Sequence, residues 1–454
     1  MKIIKNGNPN ISKLIGEKSI NRELFYRLSA FAYVFSNVER HFIQYTLTGM
    51  VVEFWDDEWH LISQLKEHKV RGDELQEKYL LDLASKQIIV ECDFDDYKQY
   101  EWIVYMLKTI VKKNNGVKTY TILPTTGCNA RCAYCYEEGM QIETMNVETT
   151  NNVIDFIDKT KHSDEISIIW FGGEPLTAEH VISYICARLN EKNIKFHSKI
   201  VTNASLFTEE LVVEAKNLWH LKSAQVSVDG NRRDYERIKR YRNPNKYNYE
   251  TMMSAISYLL NEGIDVAIRC NYDSKNLNGM REFLEDVESR FKNPPNLSVY
   301  FSMYFQERDN EHSVDLHKKS MELLQYFYKR GMKSDVFPEK VYRFKTNLCM
   351  ANSDGRGIVI APNGDLYNCE HLPGNSSFGN ICDKEINIKS DLRAYISADE
   401  KCRKCCFLPY CTPFFKNGCP DWFKYCYEFK CAEMDCMLEQ VIQDYYKAST
   451  QEHS

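Results

Sequence analysis

The sequence predicts an α/β protein whose central parallel sheet is closed or partly closed into a barrel. Two observations carry this. Between residues 118 and 305, six short β-branched runs alternate with polar amphipathic segments, the pattern of strands joined by helical crossovers. The chemically unusual motifs of that region also stand at the C-terminal ends of the strand candidates, where α/β barrels place their sites.

The elements follow in order. Ahead of the barrel, HFIQYTLTG and MVVEFWDDE read as two strands turning at Thr48-Gly49, followed by a helical EWHLISQLKEH. Residues 1–100 are taken as a small α+β domain. The barrel strands are expected at 118–126, 165–173, 199–205, 223–230, 266–273 and 297–305, with helices at 147–160, 177–191 and 249–262, giving a domain over 118–310. From 340 to 440 the chain becomes cysteine-dense and poor in periodic pattern, the composition of a region held by metal.

Composition narrows the function. Of 454 residues, 43% are hydrophobic and 27% charged, as in a folded globular chain. A net charge of −6 offers no basic field for nucleic acid. No apolar stretch reaches the roughly 18 residues of a membrane helix, and MKIIKNGNPNISK is no signal peptide, so a cytoplasmic protein without a membrane partner is expected. Seventeen cysteines then stand out. Without an export signal they point to metal ligation rather than disulfides. Three lie between Cys128 and Cys135 and eleven between Cys349 and Cys436; Cys92, Cys186 and Cys270 read as packing thiols.

Cys128, Cys132 and Cys135 are spaced C-x3-C-x2-C in the loop after the first barrel strand. Three thiolates so placed can hold three irons of a [4Fe–4S] cube and leave the fourth iron open to a chelating ligand. A zinc site would favour C-x2-C pairs and a fourth ligand, which the loop lacks. CNARCAYCYE, with Tyr134 ahead of the last cysteine, resembles the signature loop of the radical S-adenosylmethionine superfamily. The resemblance implies a partial (β/α)6 TIM-like barrel. It also implies S-adenosylmethionine bound to the open iron and cleaved reductively to a 5′-deoxyadenosyl radical. Phe171-Gly172-Gly173-Glu174-Pro175 resembles the family's GGEP motif, whose glycines would let backbone approach the cofactor and whose Glu174 would meet the methionine ammonium. By the same resemblance Tyr134, Asn203, Ser227, Asp229, Arg269 and Asn271 would line the cofactor pocket; strand-end capping is the other reading of the polar ones.

Beyond residue 340, Cys349-x14-Gly364-x4-Cys369, then Cys402-x2-Cys405-x5-Cys411, resembles the SPASM domain of radical enzymes that act on peptides. The pattern departs at Phe415, where the next cysteine belongs, and Cys419 follows four residues late. The resemblance implies two auxiliary [4Fe–4S] clusters, three in all. One would be held by Cys402, Cys405, Cys411 and Cys431, the other by Cys349, Cys369 and Cys419 with a ligand missing. For the last ligand of the first, Cys426 and Cys436 stay open beside Cys431. A zinc ribbon is the local alternative for Cys402–Cys411.

The reaction expected from this resemblance is crosslinking of a ribosomally made precursor peptide, through a cysteine thioether. The N-terminal strand–turn–strand–helix resembles leader-recognition domains of such enzymes, which bind by strand addition. An external one-electron donor of flavodoxin or ferredoxin type would be needed. Glu370 directly follows Cys369, where sulfatase-maturating relatives carry an aspartate base, so Glu370 is the candidate catalytic residue. Formylglycine generation, a carbon–carbon crosslink and epimerisation are the alternatives.

Overall fold

The computed structural model describes the chain except for residues 38–39, 76, 112–116, 136, 162, 335–343, 345–356, 371–376, 385–399, 412–422 and 452–454. Its strands are β1 (Lys2–Lys5), β2 (Phe25–Leu28), β3 (Ala32–Asn37), β4 (Arg40–Tyr45), β5 (Met50–Phe54), β6 (Val70–Arg71), β7 (Ile89–Glu91), β8 (Thr119–Ile122), β9 (Ile166–Trp170), β10 (Phe196–Thr202), β11 (Leu221–Val228), β12 (Asp265–Tyr272), β13 (Leu297–Met303), β14 (Gly357–Ile360), β15 (Asp365–Tyr367) and β16 (Gly379–Asn380).

The six expected barrel strands, β8 to β13, lie side by side and parallel. β13 ends the sheet on one side and does not close onto β8, so the barrel is partial. On β8's free edge the chain adds what sequence reading missed. β14 pairs with it in parallel, and β15 and β16 follow antiparallel, extending one sheet to nine strands. GIVI and DLY are too short to show a period amid the cysteines, yet β14 is buried throughout.

Strand alternation sorts the side chains. On β12, Val266, Ile268 and Cys270 are buried in the main core, which leaves Ala267, Arg269 and Asn271 for the other face. On β11, Ala224, Val226 and Val228 are buried, and Gln225 and Ser227 alternate with them. Helices Val147–Thr160, Glu179–Glu191 and Tyr249–Asn261 bury their apolar stripes in the same core. The first and last of these start on Asn146 and Asn248, whose side chains accept hydrogen bonds from first-turn N–H groups.

The N-terminal region forms an antiparallel sheet ordered β1-β5-β4-β3, with the turn at Thr46–Gly49 between β4 and β5, and a small sheet β6-β2-β7. One face of the larger sheet (Ile43, Tyr45, Val52, Phe54) packs within the N-terminal core, which reaches to Val104 in helix Asp96–Val111 and takes in Leu408. Residues of the other face (Ile4, Phe35, Phe42, Val51) join the main core, which also holds Met434, Met437, Leu438 and Ile442 of helix Cys426–Gln451. Polar contacts run along the same junction. Tyr33 donates to Asp435 at 2.6 Å, Tyr446 to Glu53, and Arg40 lies 4.4 Å over the Tyr446 ring. The first hundred residues thus have a core of their own, but its sheet is shared with the C-terminal helix.

Candidate active site

The ends of β8 to β13 surround a cavity of about 350 Å³, lined among others by Cys128, Cys132, Cys135, Gly172, Gly173 and Glu174. Tyr134, Asn203, Ser227, Arg269, Asn271 and Glu370 line it too. Residues more than 240 positions apart in the sequence, from the first strand end to the loop after β15, therefore share one space.

The loops after β8 and β9 are stitched together. Gly173 N donates to Thr125 O at 3.3 Å and Glu174 N to Gly127 O at 2.9 Å. A Cβ on Gly172, whose φ is +122°, would fall 2.2 Å from Thr125 O, and one on Gly173 would fall 2.5 Å from the carbonyls of Thr126 and Gly127. The glycines thus let the GGEP segment touch the backbone that carries Cys128, a nearer need than the approach to cofactor expected from sequence. Glu174 is buried and takes hydrogen bonds from Thr202 Oγ1 (2.7 Å), Asn203 N (2.7 Å) and Leu176 N (3.2 Å). Burial pushes its carboxyl up to about 7, against the pull of those donors.

Burial likewise pushes the Cys128 thiol up to about 12 and Cys132 to about 11. Among the described residues, no three His, Cys, Asp or Glu side chains could hold a single metal ion; an iron–sulfur cube asks instead for one thiolate per iron around a larger body. Three thiols bordering one cavity, and the buried Arg269 Nε with no hydrogen-bond partner, fit a cluster and an anionic group of a ligand. Arg269 Nη2 meanwhile donates to Ser302 Oγ at 3.0 Å.

Asp229 is the exception among the expected pocket residues. It lies behind the wall, taking Tyr134 OH at 2.6 Å and pairing with Lys239 at 3.1 Å. Lys239 and Tyr304 are site residues that sequence reading missed. Lys239 sits in the polar run RRDYERIKR, which reads as a solvated helix. Tyr304 stacks on Tyr134 with ring centres 4.3 Å apart. Asp234 and Arg237 pair at 3.0 Å.

A second cavity, of about 440 Å³, lies against the end of β13 and shares Met303 with the first. Cys402, Cys405, Cys411 and Cys426 line it. Cys431 does not; it adjoins Tyr33, Tyr427 and Cys406 instead. Of the two ligands left open, the structure brings Cys426 to the other three. Cys369 is half-buried one residue from Glu370, and Cys349 and Cys419 lie outside the described residues.

Residues 122–287 match the radical SAM superfamily model. The chain carries a radical SAM domain. Such a domain implies a [4Fe–4S] cluster and S-adenosylmethionine, and makes the protein an enzyme. The chain is 27% identical over 272 residues to an uncharacterized protein of Methanocaldococcus jannaschii, 60% of this chain and 91% of that one. It is also 21% identical to the radical SAM cyclopropyl synthase TigE of Paramaledivibacter caminithermalis, over 66% of this chain and 68% of TigE. A solved structure of anSMEcpe with bound AdoMet and the Cp18Cys peptide superposes with a TM-score of 0.55 at 16% identity, covering 73% of this chain and 99% of that one; this likeness is one of fold. Among the described residues, no helix of this radical SAM enzyme is long and apolar enough to cross a membrane.

Proposed function

We propose that this enzyme is a peptide maturase that crosslinks a ribosomally made precursor through a cysteine thioether. The observation that carries the reading is the pair of cysteine-lined cavities meeting at Met303, one at the strand ends of the radical SAM domain and one in the C-terminal region. Cys128, Cys132 and Cys135 would hold the first cluster. Cys402, Cys405, Cys411 and Cys426 would hold a second, and Cys349, Cys369 and Cys419 are assigned to a third. Bound in the first cavity, cluster and S-adenosylmethionine would supply hydrogen-atom abstraction from a peptide carbon; closing the carbon–sulfur bond would then release the thiol proton and one electron, the electron to an auxiliary cluster.

The chain's own residues bind and orient. Glu174, fixed by Thr202 and the Asn203 N–H, offers the cofactor's ammonium a carboxylate, and Arg269 offers its carboxylate a guanidinium N–H. Asn203 is itself anchored, its amide donating to Asn129 at 2.9 Å and accepting from Ser205 Oγ at 2.6 Å. Glu370 faces the cavity and is assigned to move the substrate proton. In the N-terminal sheet, β3 pairs with β4 alone among the described strands, an edge to which an extended leader could add. A flavodoxin- or ferredoxin-type donor would supply the electron.

The test is mass spectrometry of reacted precursor with and without thiol alkylation. A product lighter by two hydrogens with one cysteine protected from alkylation is expected. The same mass change with every cysteine alkylated would replace the thioether by a carbon–carbon link. Glu370 at the cavity also suits formylglycine formation, which an aldehyde-reactive product would select.

A further inference from the structure

We infer that Lys239 is a positioning residue that raises the reduction potential of the cluster on Cys128, Cys132 and Cys135, by fixing a positive charge beside their loop; this rests on the radical reading of that site. Lys239 is 2% exposed and its partner Asp229 is fully buried, with Nζ 3.1 Å from the carboxylate. Nζ also lies 3.3 Å from Tyr134 OH, which donates to the other Asp229 oxygen and accepts from Asn271 Nδ2 at 3.1 Å. The ammonium is therefore tied to β11, β12 and the cysteine loop at once.

Its backbone is tied there as well. Arg131 N donates to Lys239 O at 2.9 Å, Arg240 Nε to Arg131 O at 2.9 Å, and Arg242 N to Asn129 O at 2.9 Å. The turn after helix Arg232–Lys239 thus grips the loop between Cys128 and Cys132 from outside. The pair is oriented: Lys239 lines the cavity and Asp229 does not.

A buried ion pair is a weak source of stability, because desolvation consumes most of the attraction. Apolar side chains would fill this space at less cost. What the charge supplies is a field. Among the cavity's lining residues Glu137, Glu174, Glu370 and three cysteines face only two constitutive cations, Lys239 and Arg269. Reduction adds a negative charge to a cluster already carrying thiolates, and cluster potentials respond to nearby charge and burial. A fixed cation on the cavity side favours the reduced state.

The experiment uses the full chain, reconstituted anaerobically, with the potential read from the EPR signal that responds to S-adenosylmethionine. Lys239→Met is expected to move that potential negative and Asp229→Asn to move it positive, while the double variant returns toward the parent. A structural role would shift both single variants alike or neither, and either result overturns the inference. Should Lys239→Met lose its iron, Lys239→Arg decides: parental iron content and potential support the inference, and loss equal to the methionine variant overturns it. A parent without a cofactor-responsive signal would overturn the radical reading, and this inference with it.

Discussion

Gly172 sits at φ +122° with the place of its missing Cβ 2.2 Å from Thr125 O, so Gly172→Ala meets two penalties at once. The backbone conformation costs an L-residue about 1–3 kcal/mol. Opening the contact moves backbone rather than a flexible side chain, and overpacking of that kind costs about 1–3 kcal/mol more. Gly263 separates the two effects. It has φ +74° and nothing within 4 Å of its Cβ position, so Gly263→Ala bears the conformational cost alone. The difference, about 1–3 kcal/mol, falls on the Thr125–Gly127 backbone leading into Cys128. If that strain is released only by displacing the loop, affinity for S-adenosylmethionine falls roughly 5- to 150-fold, at 1.4 kcal/mol per tenfold. Anaerobic equilibrium dialysis and thermal melts of both variants and the parent measure this. The expected result is two less stable proteins, of which only Gly172→Ala loses cofactor and iron. A Gly172→Ala protein that binds S-adenosylmethionine within threefold of the parent would refute the stitching of the two loops as the reason for glycine.

Two further outcomes are expected. Cys426→Ala should lose one cluster's worth of iron on reconstitution while Cys431→Ala keeps the parental content; the reverse would restore Cys431 as the ligand. In metal-free protein, Glu174 favours its neutral form when folded, because burial raises its carboxyl from 4.5 to about 7. That contribution is complete below pH 4.5 and is lost as pH rises through about 7, about 3 kcal/mol in all. Melting temperature should therefore fall less between pH 5 and pH 8 in Glu174→Gln than in the parent, and equal slopes would count against the burial.

The sequence was most legible where a period or a spacing had many residues to repeat in. Helix Val147–Thr160 begins and ends as expected, and each barrel strand overlaps its expected run, with ends displaced by up to a few residues. Cys128, Glu174 and Arg269, expected to share the cofactor pocket, line one cavity because strand ends of a parallel sheet gather on one side, and Glu370 reaches it from the loop after β15. Lys239 was illegible for the opposite reason: its neighbours Arg237 and Arg240 make a polar run, and only tertiary packing makes one member buried. The choice between Cys426 and Cys431 turned on where a helix begins, and no local pattern fixes that among closely spaced cysteines. The strands β14 to β16 were hidden by brevity.

Helix Cys426–Gln451 starts at the second cavity and reaches the N-terminal sheet through Tyr446, a span of about 30 Å at 1.5 Å per residue. This has a consequence for biosynthesis. The sheet of β1, β3, β4 and β5 leaves the ribosome well before the helix that contacts its Tyr33, Arg40 and Glu53. At about 5–20 residues per second, the contacted face waits roughly 20–80 s for its cover. During that interval the face stays exposed, the condition in which apolar surface is prone to aggregate.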